Sequence, residues 1–310
     1  MSEEMFTYQA VPYAPTVDPK MTMPSPIWPD FNYESAASQK MIRAKRLNDG
    51  TFWSTMREVF AHDFNTLPME RYKAWASTLL VPIMSRDRVA EYIRTALNDA
   101  AHNPVVRNAL NEPLIGMTLD DFNQHYRVFD DDNAMTMNRM IIYGHLKHMT
   151  AGYPSHEHTT QVQQYLKSVK SIVEIGAGAG EALDVICKLG FEGEYTIFDF
   201  KEMTDIQQWF HVKCGYRNAK YIHDVNELKP ADLCIATWSL TEMPIADRAA
   251  VMQKLGDTRD WLIAYTDKIF GMENEQWIMN DFLPRFRDRE AIIQPLWDNI
   301  SKYVFLRHTP

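Results

Sequence analysis

The run Ser171-Ile-Val-Glu-Ile-Gly-Ala-Gly-Ala-Gly-Glu181 joins an apolar stretch carrying one carboxylate to three glycines alternating with small residues. That order suits a buried parallel strand that turns tightly into a helix. Gly176, Gly178 and Gly180 carry no side chains, so the main chain can bend sharply and a ligand can lie against the N–H groups opening the helix. The chemistry is that of a nucleotide-type cofactor. A dinucleotide fingerprint needs glycine at its first, third and sixth positions, and here the sixth is Glu181, whose charge would face a pyrophosphate. NAD and FAD are therefore disfavoured.

Further polar groups fall where strand ends are expected. Glu194-Tyr-Thr-Ile-Phe198 reads as the next strand and leads into Asp199, about twenty residues past the glycines, where a carboxylate can accept hydrogen bonds from both hydroxyls of a ribose. Its other reading is a cap for the helix beginning near Glu202. In Tyr221-Ile-His-Asp-Val225, Asp224 and the main chain of Val225 can meet an adenine amine, or Asp224 can simply cap the loop. Ala231-Asp-Leu-Cys-Ile-Ala236 is the fourth strand, and Thr237-Trp-Ser-Leu-Thr-Glu-Met-Pro244 follows at its carboxyl end, where open α/β sheets bind ligands. Trp238 there covers a cofactor, walls a substrate, or is an ordinary buried aromatic. Glu242 either caps a helix or faces the substrate.

The E-x-G-x-G-x-G pattern, with Glu174 inside the strand and no clamp for phosphates, resembles motif I of the class I S-adenosylmethionine (SAM) methyltransferases. Three segments together are similar to one branch, the sugar O-methyltransferases: Val173 to Gly180, Tyr195-Thr-Ile-Phe-Asp-Phe200 leading into a Gln-containing helix, and Asp232-Leu-Cys-Ile-Ala-Thr-Trp-Ser-Leu-Thr-Glu-Met243. The similarity runs over about residues 130 to 270, and Thr237 and Trp238 depart from the Asn and Tyr common in that branch. The resemblance implies a Rossmann-like α/β sheet of seven strands with helices on both faces, SAM as cofactor, and transfer of a methyl group to a hydroxyl of a sugar or glycosylated small molecule. It implies cofactor contacts from Glu174, Gly176, Ala177, Gly178, Asp199, Phe200, Asp224, Val225, Thr237 and Trp238. The branch also has a helix closing over the cofactor before the first strand, matched by Met135-Thr-Met-Asn-Arg-Met-Ile-Ile-Tyr143. Arg139 on it can pair with the SAM carboxylate or be a surface arginine. The loop after the fourth strand lacks the Asp/Asn-Pro-Pro-aromatic pattern with which DNA amino-methyltransferases grip a flipped base, so base methylation is disfavoured.

A sulfonium makes its methyl electrophilic, so such a protein holds an acceptor oxygen in line and excludes water. A sugar hydroxyl must also lose its proton, which calls for a general base or a metal. His156 and His158, in Tyr153-Pro-Ser-His-Glu-His158 before the glycine strand, are the candidate bases, their alternative being a polar loop that caps the next helix. Asp267, just past the fifth strand, competes as base or metal carboxylate. His145 and His148 share a helical face, yet paired histidines alone do not make a metal site, and none is expected.

The strands expected to carry these groups are 171–175, 195–199, 220–222, 232–237, 261–265, 290–294 and 302–307, alternating with helical segments as in a parallel sheet with crossovers. The cofactor domain spans 161–310. Residues 34–160 have helical apolar spacing, for example Tyr72, Trp75, Leu79 and Leu80, and read as a helical lid over the substrate. Residues 1–33 form a proline-rich extended arm whose interleaved aromatics favour lying on this chain or on a second copy.

The chain of 310 residues, 45% hydrophobic, can build a substantial core. Its net charge of −9 offers no electrostatic footprint for nucleic acid. Three cysteines without C-x-x-C spacing indicate neither a disulfide framework nor a zinc site. With no apolar run of about 18 residues and an acidic amino terminus, no membrane partner is expected and the setting is cytoplasmic. Two rivals stand beside this reading: a SAM methyltransferase whose acceptor is a phenol, carboxylate or amine, and a SAM-binding assembly module without turnover.

Overall fold

The computed structural model describes residues 54, 57–58, 95–110, 131–156, 159–216, 218–269, 271–295 and 301–308. The arm at 1–33, the helix expected around Tyr72 to Leu80, and His158 lie outside the described residues.

Nine strands are described: β1 Ser171–Ile175, β2 Glu194–Phe198, β3 Ala219–Ile222, β4 Leu233–Thr237, β5 Asp260–Thr266, β6 Lys268–Ile269, β7 Met272–Glu273, β8 Glu290–Pro295 and β9 Ser301–Arg307. Seven form one sheet in the order β3-β2-β1-β4-β5-β9-β8, and each of the seven expected strands appears within one residue of its expected ends. The hairpin β6–β7, too short for a sequence signal, is additional.

β1 to β5 run parallel, while β9 pairs antiparallel with both β5 and β8. The central strands are apolar on both faces, as a sheet covered by helices on two sides requires. One core gathers Ile172, Tyr195, Ile197, Leu233, Ile235, Leu262 and Phe305 on one face. Val173, Ile175, Cys234, Ala236, Trp261 and Ile263 belong to the core on the other.

The described helices include α1 Pro104–Leu110, α2 Asp131–Met149, α3 Gln161–Ser168, α4 Glu181–Lys188, α5 Lys201–Lys213, α6 Ile245–Leu255 and α7 Asn274–Trp277. Buried residues of α1, α2, α3 and α4 contribute to the first core, and α6 and α7 to the second. Thr160 starts α3 through a capping box with Gln163, whose carbonyl also accepts from Asn103 at 2.7 Å, so the segment before α1 is tied to the helix that feeds the glycine strand. Among the described residues no helix is long and apolar enough to cross a membrane.

The strand order reverses between β1 and β4, which leaves a crevice outside their carboxyl ends. The glycine turn leaves β1 on one side of it, and the loop 238–243 leaves β4 on the other.

Candidate functional site

All three glycines of the turn take positive φ, at +67° for Gly176, +55° for Gly178 and +94° for Gly180. A Cβ on Gly176 would stand 2.5 Å from the Cβ of Ser239, and one on Gly180 would stand 2.9 Å from His211 Nε2. Substitution is thus barred by conformation and by packing from both neighbouring segments. Ser239 closes over the turn by donating from Oγ to the Ile175 carbonyl.

From the other side α5 holds the turn with two side chains one helical turn apart. Gln207 Nε2 donates to the Gly178 carbonyl at 2.7 Å and to Asp199 Oδ2 at 2.8 Å. His211 is fully buried, and its Nε2 lies 2.7 Å from the Gly180 carbonyl. A carbonyl only accepts, so Nε2 is the donor, and in the neutral ring Nδ1 accepts from the Tyr221 hydroxyl at 2.6 Å. Gln207, His211, Tyr221 and Ser239 were not among the residues anticipated from sequence. The available signal was the i, i+4 pair of polar residues on the buried face of α5.

Three acids gather at the turn. Glu174 is buried in β1 with its Oε2 accepting from the Tyr195 hydroxyl at 2.7 Å. Burial pushes its pKa up to about 8, the Tyr195 hydrogen bond working against this and the charges of Asp199 and Glu181 adding to it. Glu181 is the buried first residue of α4, where a carboxylate suits the helix amino terminus. Asp199 follows β2 and accepts at Oδ1 from the Phe200 N–H at 2.8 Å. Burial raises it to about 6, opposed by hydrogen bonds from Gln207 and from the main chain of Phe200 and Ala177. Carboxyls gathered in this way suit a cationic ligand and are mismatched to a pyrophosphate.

Past β3, Asp224 is exposed and caps the single turn Val225–Glu227, accepting from the Asn226 N–H at 2.9 Å. The adjacent His223 Nδ1 lies 3.3 Å from the Asp199 carbonyl, so this loop sits against the segment that follows β2.

At the end of β4, Thr237 is half-buried, and Trp238 is the one non-glycine residue with positive φ among those described, at +52°. Its N–H donates to the Ala264 carbonyl at 2.8 Å. Its ring centroid is 5.7 Å from that of His145 on α2, and the His145 ring is 4.8 Å from Tyr303 on β9. Burial drives the His145 pKa down to about 3, with His148 adding to the effect, so the imidazole stays neutral in this aromatic wall. Glu242 closes the short turn Leu240–Glu242. Arg248 of α6, fully buried, donates to the carbonyls of Thr241 and Met243 and to Asn274 Oδ1, tying this loop to the segment after β5.

The remaining expected residues are placed as follows. Arg139 is buried on α2, with Nε 3.1 Å and Nη2 2.9 Å from Asp184 of α4. His156 is exposed and pairs through its main chain with Thr159. Asp267 lies 3.0 Å from Lys302, and its pKa is raised by desolvation although that ammonium opposes the rise. The structure therefore places the glycines, Asp199, Phe200, Thr237 and Trp238 at the carboxyl ends of β1, β2 and β4, with Glu174 buried inside β1.

No family model matches the chain, and no curated protein matches it. Among solved structures it is similar to a SAM-dependent methyltransferase from Aquifex aeolicus, at 16% identity over 46% of this chain and 87% of that one, with a TM-score of 0.35. It is also similar to an O-methyltransferase family protein from Burkholderia thailandensis, at 9% identity over 73% and 72% with a TM-score of 0.40. A third is the magnesium protoporphyrin IX methyltransferase of Synechocystis PCC 6803 with bound SAM, at 14% identity over 68% and 97% with a TM-score of 0.38.

Proposed function

We propose that this chain is a SAM-dependent methyltransferase acting on a hydroxyl oxygen of a sugar or a glycosylated small molecule. The observation that carries the cofactor assignment is the acidic lining of the glycine turn: Glu174, Glu181 and Asp199 lie around a main-chain bend at the sheet's switch point, and burial raises the carboxyls of Glu174 and Asp199, the neighbouring acids adding to the rise at Glu174 alone. A ligand bearing an ammonium and a sulfonium favours the ionised forms of these acids.

In this reading Asp199 accepts from the ribose hydroxyls, its second oxygen oriented by Gln207, while Asp224 and Val225 border the adenine. Arg139, already on Asp184, bounds the cofactor's carboxylate end. When bound, the cofactor supplies an electrophilic methyl group. The chain's own residues then hold the acceptor oxygen in line and keep water out. Trp238, fixed by its N–H to Ala264 and backed by His145, offers a flat wall for the apolar face of a sugar ring. His156, His158, Glu242 and Asp267 are the candidates for taking the hydroxyl proton.

A second reading places a phenol, carboxylate or amine at the same position, favoured by the aromatic character of the Trp238, His145 and Tyr303 wall. Calorimetry with S-adenosylhomocysteine on the native chain and on Asp199→Ala tests the cofactor assignment, binding by the first and loss in the second being expected. Labelled SAM offered with free sugars, nucleotide sugars, glycosides and phenols tests the acceptor. Transfer to phenols alone would overturn the sugar assignment, and binding without transfer to any acceptor would favour the assembly module.

A further inference from the structure

One contact reaches the crevice from far upstream in the chain. Ser54, Arg57 and Glu58 are helical, and the Arg57 guanidinium lies over the Phe200 ring at 4.8 Å from its centroid. Its Nε is 3.5 Å from Glu202 Oε2. Both targets belong to the short segment that opens α5 immediately after Asp199.

Phe200 is more than a neighbour of that acid. It is the residue preceding α5, with extended φ and ψ of −61° and 148°, and its N–H is the donor that orients Asp199 Oδ1 at 2.8 Å. Whatever fixes Phe200 therefore also fixes one of the hydrogen bonds that aim the carboxylate. A guanidinium suits this task because it stacks flat on an aromatic ring while its edge serves a carboxylate. The Arg57 side chain remains 48% exposed, so the contact adds little to the core and its effect is local.

We propose that Arg57 is a positioning residue of the cofactor site, acting through Phe200 to hold Asp199 in its ribose-binding orientation and making cofactor affinity depend on the amino-terminal region. The proposal rests on the SAM reading of the crevice. It makes Arg57 a part of the binding site contributed by a segment that no cofactor motif contains.

The test is calorimetry of S-adenosylhomocysteine binding to the full chain, alongside thermal melts without and with that ligand. Arg57→Ala is expected to weaken binding by about two- to fivefold, the scale of an exposed cation–π contact. It should also reduce the ligand-induced rise in melting temperature while leaving the ligand-free melt close to that of the native chain. Phe200→Leu should weaken binding, with Arg57→Ala adding little further in the double variant, and Arg57→Lys should restore part of the loss. Native-like affinity in Arg57→Ala, with or without a lower ligand-free melting temperature, would overturn the proposal and leave the cofactor reading intact. Failure of the native chain itself to bind would overturn both.

Discussion

Gln207 and Asp199 share a 2.8 Å hydrogen bond, and the same amide nitrogen of Gln207 reaches the Gly178 carbonyl at 2.7 Å. One side chain of α5 thus sets both the glycine turn after β1 and the acid after β2, two features that read as independent motifs in the sequence.

Replacing that side chain separates its two tasks from the helix around it. Gln207→Leu leaves a buried carbonyl without its donor, at a cost of about 1–3 kcal/mol. It also frees the Asp199 carboxylate to rotate. The expected result is a lower denaturation midpoint together with weaker S-adenosylhomocysteine binding. Unchanged affinity would mean that Asp199 is held without Gln207.

Glu174 predicts a pH dependence of stability. Its folded-state pKa of about 8 lies above the ordinary 4.5, chiefly through desolvation. A raised pKa contributes stability that is fully present below the unfolded value and lost as pH climbs through the folded one. The ligand-free chain should therefore lose stability between pH 4.5 and about 8, the interval set by that shift. Glu174→Gln keeps an acceptor for Tyr195 but cannot ionise, so its denaturation midpoint should fall less over the same interval. Parallel midpoints for both proteins in chemical denaturation would contradict this account.

Cofactor binding should carry its own pH signature. Asp199, at about 6 in the free site, serves ribose hydroxyls and a cationic ligand best when ionised. SAM affinity should rise with pH through that value, by no more than about tenfold per pH unit for one proton. Calorimetry in buffers of different protonation enthalpy should register proton release near pH 6, and Asp199→Asn should abolish that component.

Trp238 holds a backbone angle that glycine adopts more readily, with φ at +52°. Trp238→Gly and Trp238→Ala both remove the ring from the His145 wall, while only the glycine variant relieves the left-handed strain, worth about 1 kcal/mol. The glycine variant should melt higher than the alanine variant, and both should lose methyl transfer. Retained turnover in either would remove Trp238 from the acceptor wall.

Much of the fold was legible in the chain because its signals are local. The apolar runs of β1, β2, β4 and β5, the three alternating glycines and the acid after β2 each lie within a few residues of what they specify, and the sheet places them as read. Strand composition and turn geometry depend on neighbouring residues, so no tertiary information is needed to find them.

Which side chains complete the site was decided by which helix face meets which strand end. Gln207 and His211 look like ordinary polar residues until α5 packs beside the glycine turn. Arg139, a free guanidinium as far as the sequence goes, meets Asp184 only because α2 lies on α4. Arg57 reaches Phe200 from far upstream in the chain. These partners are distant in sequence, and only the close packing of helices on the sheet selects them, since side-chain pairing at such separations is set by surface complementarity and not by local spacing.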